Sequence, residues 1–587
     1  MKKKKTLRIV LAVVMMFALI SSTLAGVSAA TPIKYTITIN NATAGHTYGA
    51  YQLFDGDIEG GKLTNIVWGT AVNASTQLLA AIKDDITLDT TFDDCTTAEA
   101  VADVLADTTD TSIIKAFAKV VGNYFKDSSI SPTKTSTDDG NTYTITELPA
   151  GYYLIKDQRA VGTDSSTFYI LGVAKDITVS PKAGVPIVTK KVLEDSAVNS
   201  KYEYEPSKDY NDVADWDIGQ VKSFKIYAHL PAKMWDYDTY SLKFTDTFVQ
   251  GITVTDENGN ALSAGTFTDF KVSYYTGTGT EVAFTDTTFT GILTPASPTV
   301  SEGNVGTLVF TCNDIKDELV SKGVTSGKVT VAIEYNAKLN ENCAVGLGGN
   351  QNEVYLEYSN DPYDVYGDGD NVNTGKGVSL GKTKEDKVIV FTFSLKGTKV
   401  DGDNIDTKLA GAEFKLGRDT DNDGTADEWA TLNENKLTDW VADENSATTL
   451  TSAENTGIFE VIGVDSGTYY LKETVAPTGY NKLADPVKMV VTSKKIDANS
   501  PYQQSWDTFT NTDAIDEVEL TVGNKKSTVD SNSTTAPLAF TIENKSGATL
   551  PSTGDTGKAI FYGIGAIGFA AAAIILITRK RMAKEKK

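Results

Sequence analysis

The chain has 587 residues, with 77 Asp and Glu against 54 Lys and Arg, a net charge of −23. That length implies several domains of about 100 to 200 residues, and that charge argues against nucleic-acid or anionic-membrane partners, whose phosphates it would repel. Three cysteines are too few for a disulfide scaffold, and two histidines, with no HExxH, GxSxG, CxxC or P-loop pattern, leave no constellation for a cofactor or for catalysis on an external substrate.

The first residues, 1–29, read as a secretory signal. Lys2 to Lys5 and Arg8 form a charged region, an apolar run continues through Leu24, and Val27-Ser28-Ala29 suits cleavage before Ala30. From Tyr35 onward, short alternating runs rich in Thr, Val, Tyr and Phe, bounded by Gly, Asn and Asp, predict an all-β chain of sandwiches. Residues 97–125 depart from this: Val101, Val104, Leu105, Ile113, Ile114, Phe117, Val120 and Val121 recur at helical spacing, so helical insertions are expected in the first module. Breaks at "SPKAGVP" (180–186) and "NDPYDVYGDGDNVNTGKGVSLGK" (360–382) divide the body into modules 30–182, 183–375 and 376–546. Cys312 and Cys343 are the candidates for a disulfide bridge.

Two modules turn polar side chains toward their cores. Strand side chains alternate with a period of two, so "VPIVTKKV" puts Lys190 with Val188 and Val192, and "YSLKFTDTF" puts Asp246 with Leu242, Phe244 and Phe248. In "NQNEVYLEYSN" Asn352 shares a face with Val354, Leu356 and Tyr358. Lys191 beside Lys190, and Asn360 in phase with Asn352, remain alternatives. The third module repeats the order of lysine, acid and asparagine. Lys399 lies with Phe391, Phe393, Leu395 and Gly397, Glu473 with Tyr469 and Leu471, and Asn544 with Leu538, Phe540 and Ile542.

Buried charges are costly, and a buried salt bridge with an amide partner is the plain reading of such a set. A chemical reading also follows. A desolvated lysine gives up its proton and becomes a nucleophile, while a desolvated acid can polarise a carboxamide and shuttle protons. Lys399 would attack Asn544 with Glu473 as the acid, and Lys190 would attack Asn352 with Asp246. Each reaction would expel ammonia and leave an intramolecular isopeptide bond. Amines do not ordinarily attack amides in water, but a rigid core can supply effective molarities of about 10⁵ M or more.

"DTDNDGTADEW" (419–429) has Asp419, Asp421, Asp423, Gly424 and Asp427 at calcium-loop spacing. Ala430 stands where a bidentate Glu is required, so the segment is read as an acidic hairpin tip and no metal is expected. At the end of the chain, residues 547–587, "LPSTG" precedes about 20 uncharged residues from Ala559 to Thr578, read as a transmembrane span. Arg579, Lys580, Arg581 and Lys584 would hold its cytoplasmic side.

These features together resemble the backbone pilins of sortase-assembled pili on Gram-positive bacteria. Leu550, Pro551, Ser552, Thr553 and Gly554 match the LPxTG sorting signal. "YYLKETVAPTGY" is similar to the family's E-box, with Glu473 as its glutamate. "ITVSPKAGVPIVTKKV" is similar to the end of a pilin motif, with Lys182 at the conjugated lysine, and "KLAGAEFKL" (408–416) resembles the opening of collagen-adhesin B-type modules. In the first module "GYYLIKD" is similar to an E-box, but parity selects Lys156 rather than an acid, and no internal amide is expected there.

The resemblance implies three elongated tandem Ig-like or collagen-adhesin-type sandwiches. It implies that a pilus-type sortase cuts between Thr553 and Gly554 and joins Thr553 to Lys182 of an identical subunit, giving a covalent homopolymer. A housekeeping sortase would attach the base to peptidoglycan, with tip and basal pilins and a host ligand as further partners. The protein would be secreted, held in the membrane before sorting and then anchored to the cell wall. A monomeric wall-anchored adhesin, or an accessory pilin, is the alternative.

Overall fold

In the computed structural model, the described residues are 33–40, 46–86, 88–125, 129–138, 142–158, 168–179, 184–194, 210–237, 239–277, 279–284, 288–296, 305–360, 380–495, 514–530, 534–547 and 556–584. The expected signal segment, Lys182 and Leu550 to Gly554 all lie outside them.

The strand Tyr48–Glu59 shows how the first part of the chain is built. Period-two alternation sends Tyr48 and Ala50 to one core, and Tyr51 and Leu53 to another. The first core lies between its own sheet and a second one made by Tyr35–Asn40, Thr142–Leu148 and Ile177–Val179, and includes Ile37, Ile39, Tyr143 and Ile145. Helices Ser75–Asp84, Ala98–Asp107 and Thr111–Tyr124 supply the second core through Leu78, Ile82, Val101, Leu105, Phe117 and Val121. Thr97 caps the middle helix, its side chain accepting from the Ala100 amide.

Beyond residue 187, one cluster of buried side chains runs from Val188 to Ile542. One sheet centres on Ile187–Leu193, Lys222–Leu230 and Val329–Leu339. The facing strands Leu242–Val249, Val305–Cys312 and Gly346–Ser359 alternate buried and half-buried side chains, the mark of a strand with one face on the core. The 16-residue strand Asp386–Asp401 belongs to two neighbourhoods. Its first half pairs with Val213–Asp215 and Gly346–Ser359, and its second half with Ile458–Val464 and Leu538–Asn544.

The expectation of an all-β chain is corrected. Besides the three helices already named, Ile315–Ser321 and Thr556–Lys584 are helical. They form because their apolar side chains recur every three to four residues or run all round the helix, where a strand requires alternation. Asp314 also caps Ile315–Ser321, accepting from the amides of Lys316 and Asp317.

The expected C-terminal transmembrane helix is corrected as well: no helix among the described residues is long and apolar enough to cross a membrane. Cys95, Cys312 and Cys343 are free thiols, so the candidate bridge is not formed.

Candidate functional site

Lys399 and Asn544 sit on adjacent parallel strands, Lys399 opposite Ile542 and Asn544 opposite Asp401. Glu473 reaches them from Gly467–Val475, where it stands opposite Phe414. Lys399 is 0%, Glu473 2% and Asn544 1% exposed, so parity has turned all three inward. The Phe459 ring covers Gly397, two residues before Lys399. It lies so near Gly397 that a Cβ there would meet the ring at 2.2 Å.

Lys399 Nζ donates to the Ile542 carbonyl at 3.1 Å and stands 3.9 Å from Glu473 Oε1. Asn544 Nδ2 donates to Glu473 Oε2 at 3.0 Å and to the Asn481 carbonyl at 2.7 Å. A backbone carbonyl can only accept, so the carboxamide must turn its nitrogen this way. The Leu483 amide donates to Glu473 Oε2 at 2.7 Å and steadies the acid. Burial lowers Lys399 to about 8, against the opposing influence of Glu473 and Glu543. The arrangement offers an amine that gives up its proton more readily than an ordinary lysine, beside a carboxamide whose leaving nitrogen faces the Glu473 carboxyl.

The middle cluster spans the two facing sheets. Lys190 comes from Ile187–Leu193 on one sheet, and Asp246 and Asn352 from Leu242–Val249 and Gly346–Ser359 on the other. All three are 0% exposed. Lys190 Nζ contacts Asp246 Oδ2 and donates to the Tyr335 hydroxyl at 3.1 Å. Asn352 Nδ2 donates to the same hydroxyl at 2.7 Å. Burial lowers Lys190 and raises Asp246, each against the pull of its partner. Both shifts favour the uncharged pair of amine and acid.

Of the two lysines left open, Lys190 meets Asp246. Lys191 points to the other face, where it pairs with Asp212. Asn352 is joined to Asp246 through Tyr335. Two features of these surroundings escaped sequence reading. Tyr335 has the parity of Val331, Ile333 and Ala337 in "VTVAIEYNAKL", so a hydroxyl on a core face was there to be noticed. The backbone carbonyl of Asn481 and the amide of Leu483 carry almost no sequence signal, because any residue would supply the first and any but proline the second. In the first part of the chain, Lys156 Nζ donates to the Phe125 carbonyl at 3.3 Å.

In the acidic tip, Asp419, Asp421 and Asp423 bring oxygens within 4.8 Å of one another. Asp419, Asp421, Asp423 and Asp427 accept from the amides of Gly424, Asp423, Thr425 and Thr420 respectively, the bonding of a turn that holds itself.

Residues 393–502 match a protein family described as a prealbumin-like fold domain, and residues 542–584 match the LPXTG cell wall anchor motif. Over 489 residues the chain is 26% identical to the trypsin-resistant surface T6 protein of Streptococcus pyogenes serotype M6, covering 76% of this chain and 78% of that one. The solved T6 backbone pilin overlaps 89% of this chain and 100% of its own at 18% identity and a TM-score of 0.49. The major pilin SpaD of Corynebacterium diphtheriae overlaps 88% and 98% at 15% identity and a TM-score of 0.43. Carried by the sequence matches, the conclusion is that this chain resembles the backbone pilins of Gram-positive sortase-assembled pili and bears an LPXTG cell-wall anchor motif.

Proposed function

We propose that the chain is the structural backbone subunit of a covalently polymerised pilus, secreted and anchored to the cell wall, supporting adhesion and catalysing nothing on an external substrate. One observation carries this reading: a wall-anchor match at residues 542–584 on a chain similar to T6 over 489 residues. A pilus-type sortase would cleave between Thr553 and Gly554 and pass the Thr553 carbonyl to Lys182 of an identical subunit. A housekeeping sortase would join the last subunit to peptidoglycan, with tip and basal pilins completing the fibre. The exterior would comprise modules 30–182, 183–375 and 376–546.

The second and third modules would each carry one internal amide. Lys399 Nζ attacks Asn544 Cγ, the Nζ–Cγ bond forms and the Cγ–Nδ2 bond breaks. The proton lost by Nζ travels through Glu473 to the departing nitrogen, which leaves as ammonia. Lys190, Asp246 and Asn352 would do the same in the second module. The burial of both sets and the lowered Lys190 and Lys399 support this chemistry.

The test is a blot of detergent-boiled wall extracts from cells bearing wild type or Lys182→Ala. A high-mass ladder that collapses to monomer in the variant is expected. Monomer alone in both, from cells with an active pilus sortase, would overturn the polymer and favour a single wall-anchored adhesin.

A further inference from the structure

The two clusters differ in how the acid reaches the leaving group. In the third module Glu473 touches the Asn544 nitrogen directly, at 3.0 Å. Asp246 is one methylene shorter, and in the middle module the Tyr335 hydroxyl stands between the acid and the amide. Tyr335 donates to Asp246 Oδ2 at 2.9 Å and accepts from Lys190 Nζ at 3.1 Å and from Asn352 Nδ2 at 2.7 Å. One hydroxyl therefore touches the acid, the nucleophile and the leaving nitrogen.

We propose that Tyr335 is a catalytic residue of the middle module, relaying the proton from Asp246 to the departing nitrogen of Asn352. This rests on the amide-forming reading given above. An amide nitrogen has no basic lone pair, so before attack it can only donate, as it does to Tyr335. Once Lys190 Nζ bonds to Asn352 Cγ, that carbon is tetrahedral and the nitrogen becomes an acceptor.

Asp246, holding its proton in the uncharged pair, donates it to the Tyr335 oxygen while the Tyr335 hydrogen turns to the nitrogen, and the Asp246 carboxylate then takes the surplus proton of Nζ. The Cγ–Nδ2 bond then breaks. Ammonia leaves with its own two hydrogens and the one relayed, while Tyr335 and Asp246 end as they began. Burial, reinforced by Asp246, holds the Tyr335 hydroxyl well above the usual tyrosine range, which suits a relay that must keep its proton between steps. The ring is fixed by Phe224 and Phe310, with centroids at 5.6 and 6.0 Å.

The experiment follows both joined peptides by mass spectrometry during cell-free synthesis of the full chain. Tyr335→Phe keeps the ring and its packing. It should slow Lys190–Asn352 joining about a hundredfold or more while Lys399–Asn544 joins at the wild-type rate, an internal control for folding. Fluorotyrosine at 335 preserves shape and changes only hydroxyl acidity, and should alter the middle rate alone. Equal middle rates in wild type and both variants would overturn the relay and leave the amide reading standing. Absence of both joined pairs in wild type would overturn the reading itself.

Discussion

Lys399 and Asn544 lie on neighbouring parallel strands although about 145 residues separate them, and Glu473 meets both. A bond between them closes nearly the whole third module into one loop. In the chain-entropy model used for disulfides, a loop of that length restricts the denatured chain by about 4 to 5 kcal/mol. Lys399→Ala should therefore lose heat and trypsin resistance while still polymerising. Melting and digestion curves matching wild type would refute the bond.

Lys399 also predicts a pH dependence in the unjoined module. Asn544→Ala removes the electrophile and leaves the amine with its acid. Lys399 should then titrate near 8, readable by lysine nitrogen NMR. Its folded value lies below its unfolded one, so its contribution to stability is present above about 10.5 and is lost as pH falls through 8. Adding Lys399→Met should remove that slope.

Asp386 predicts the opposite sign. Its carboxyl accepts from the Lys190 amide at 2.7 Å, and desolvation pushes it up to about 7, with Lys191 opposing and Asp212 reinforcing. Burial raises Asp212 as well. A raised acid contributes stability that is complete below its unfolded value and is lost as pH rises through the folded one. The thermal midpoint of Asp386→Asn should consequently fall less than that of wild type between pH 4 and 7, and equal slopes would count against the assignment.

Asp217 ties the middle strands to the third set. It is 1% exposed and accepts from Arg418 Nη1 at 2.7 Å, Trp440 Nε1 at 2.8 Å and the Asp465 amide at 2.8 Å. Arg418 keeps a quarter of its side chain in solvent, which tempers the cost of losing it. Arg418→Ala should destabilise by about 1 to 3 kcal/mol, seen as an earlier denaturant midpoint.

The acidic tip should not respond to calcium. Its carboxylates already serve backbone amides, and Ala430 supplies no ligand at the closing position. Titration calorimetry with calcium should show no binding heat; a saturable signal abolished by Asp421→Ala would show otherwise.

Side-chain parity is a local property of extended backbone, so the sequence by itself determined that Lys190, Asp246, Asn352, Lys399, Glu473 and Asn544 face inward, and each is buried. The anchor motif is equally linear and readable without a fold. Local pattern could not decide which buried groups meet, because those meetings join strands far apart in the chain. Only tertiary packing put Lys190 on Asp246 and Lys191 on Asp212, and inserted Tyr335 between Asp246 and Asn352. Packing also decided which sheet face the helices Ser75–Asp84, Ala98–Asp107 and Thr111–Tyr124 cover, since a segment's period sets its preference but not its partner.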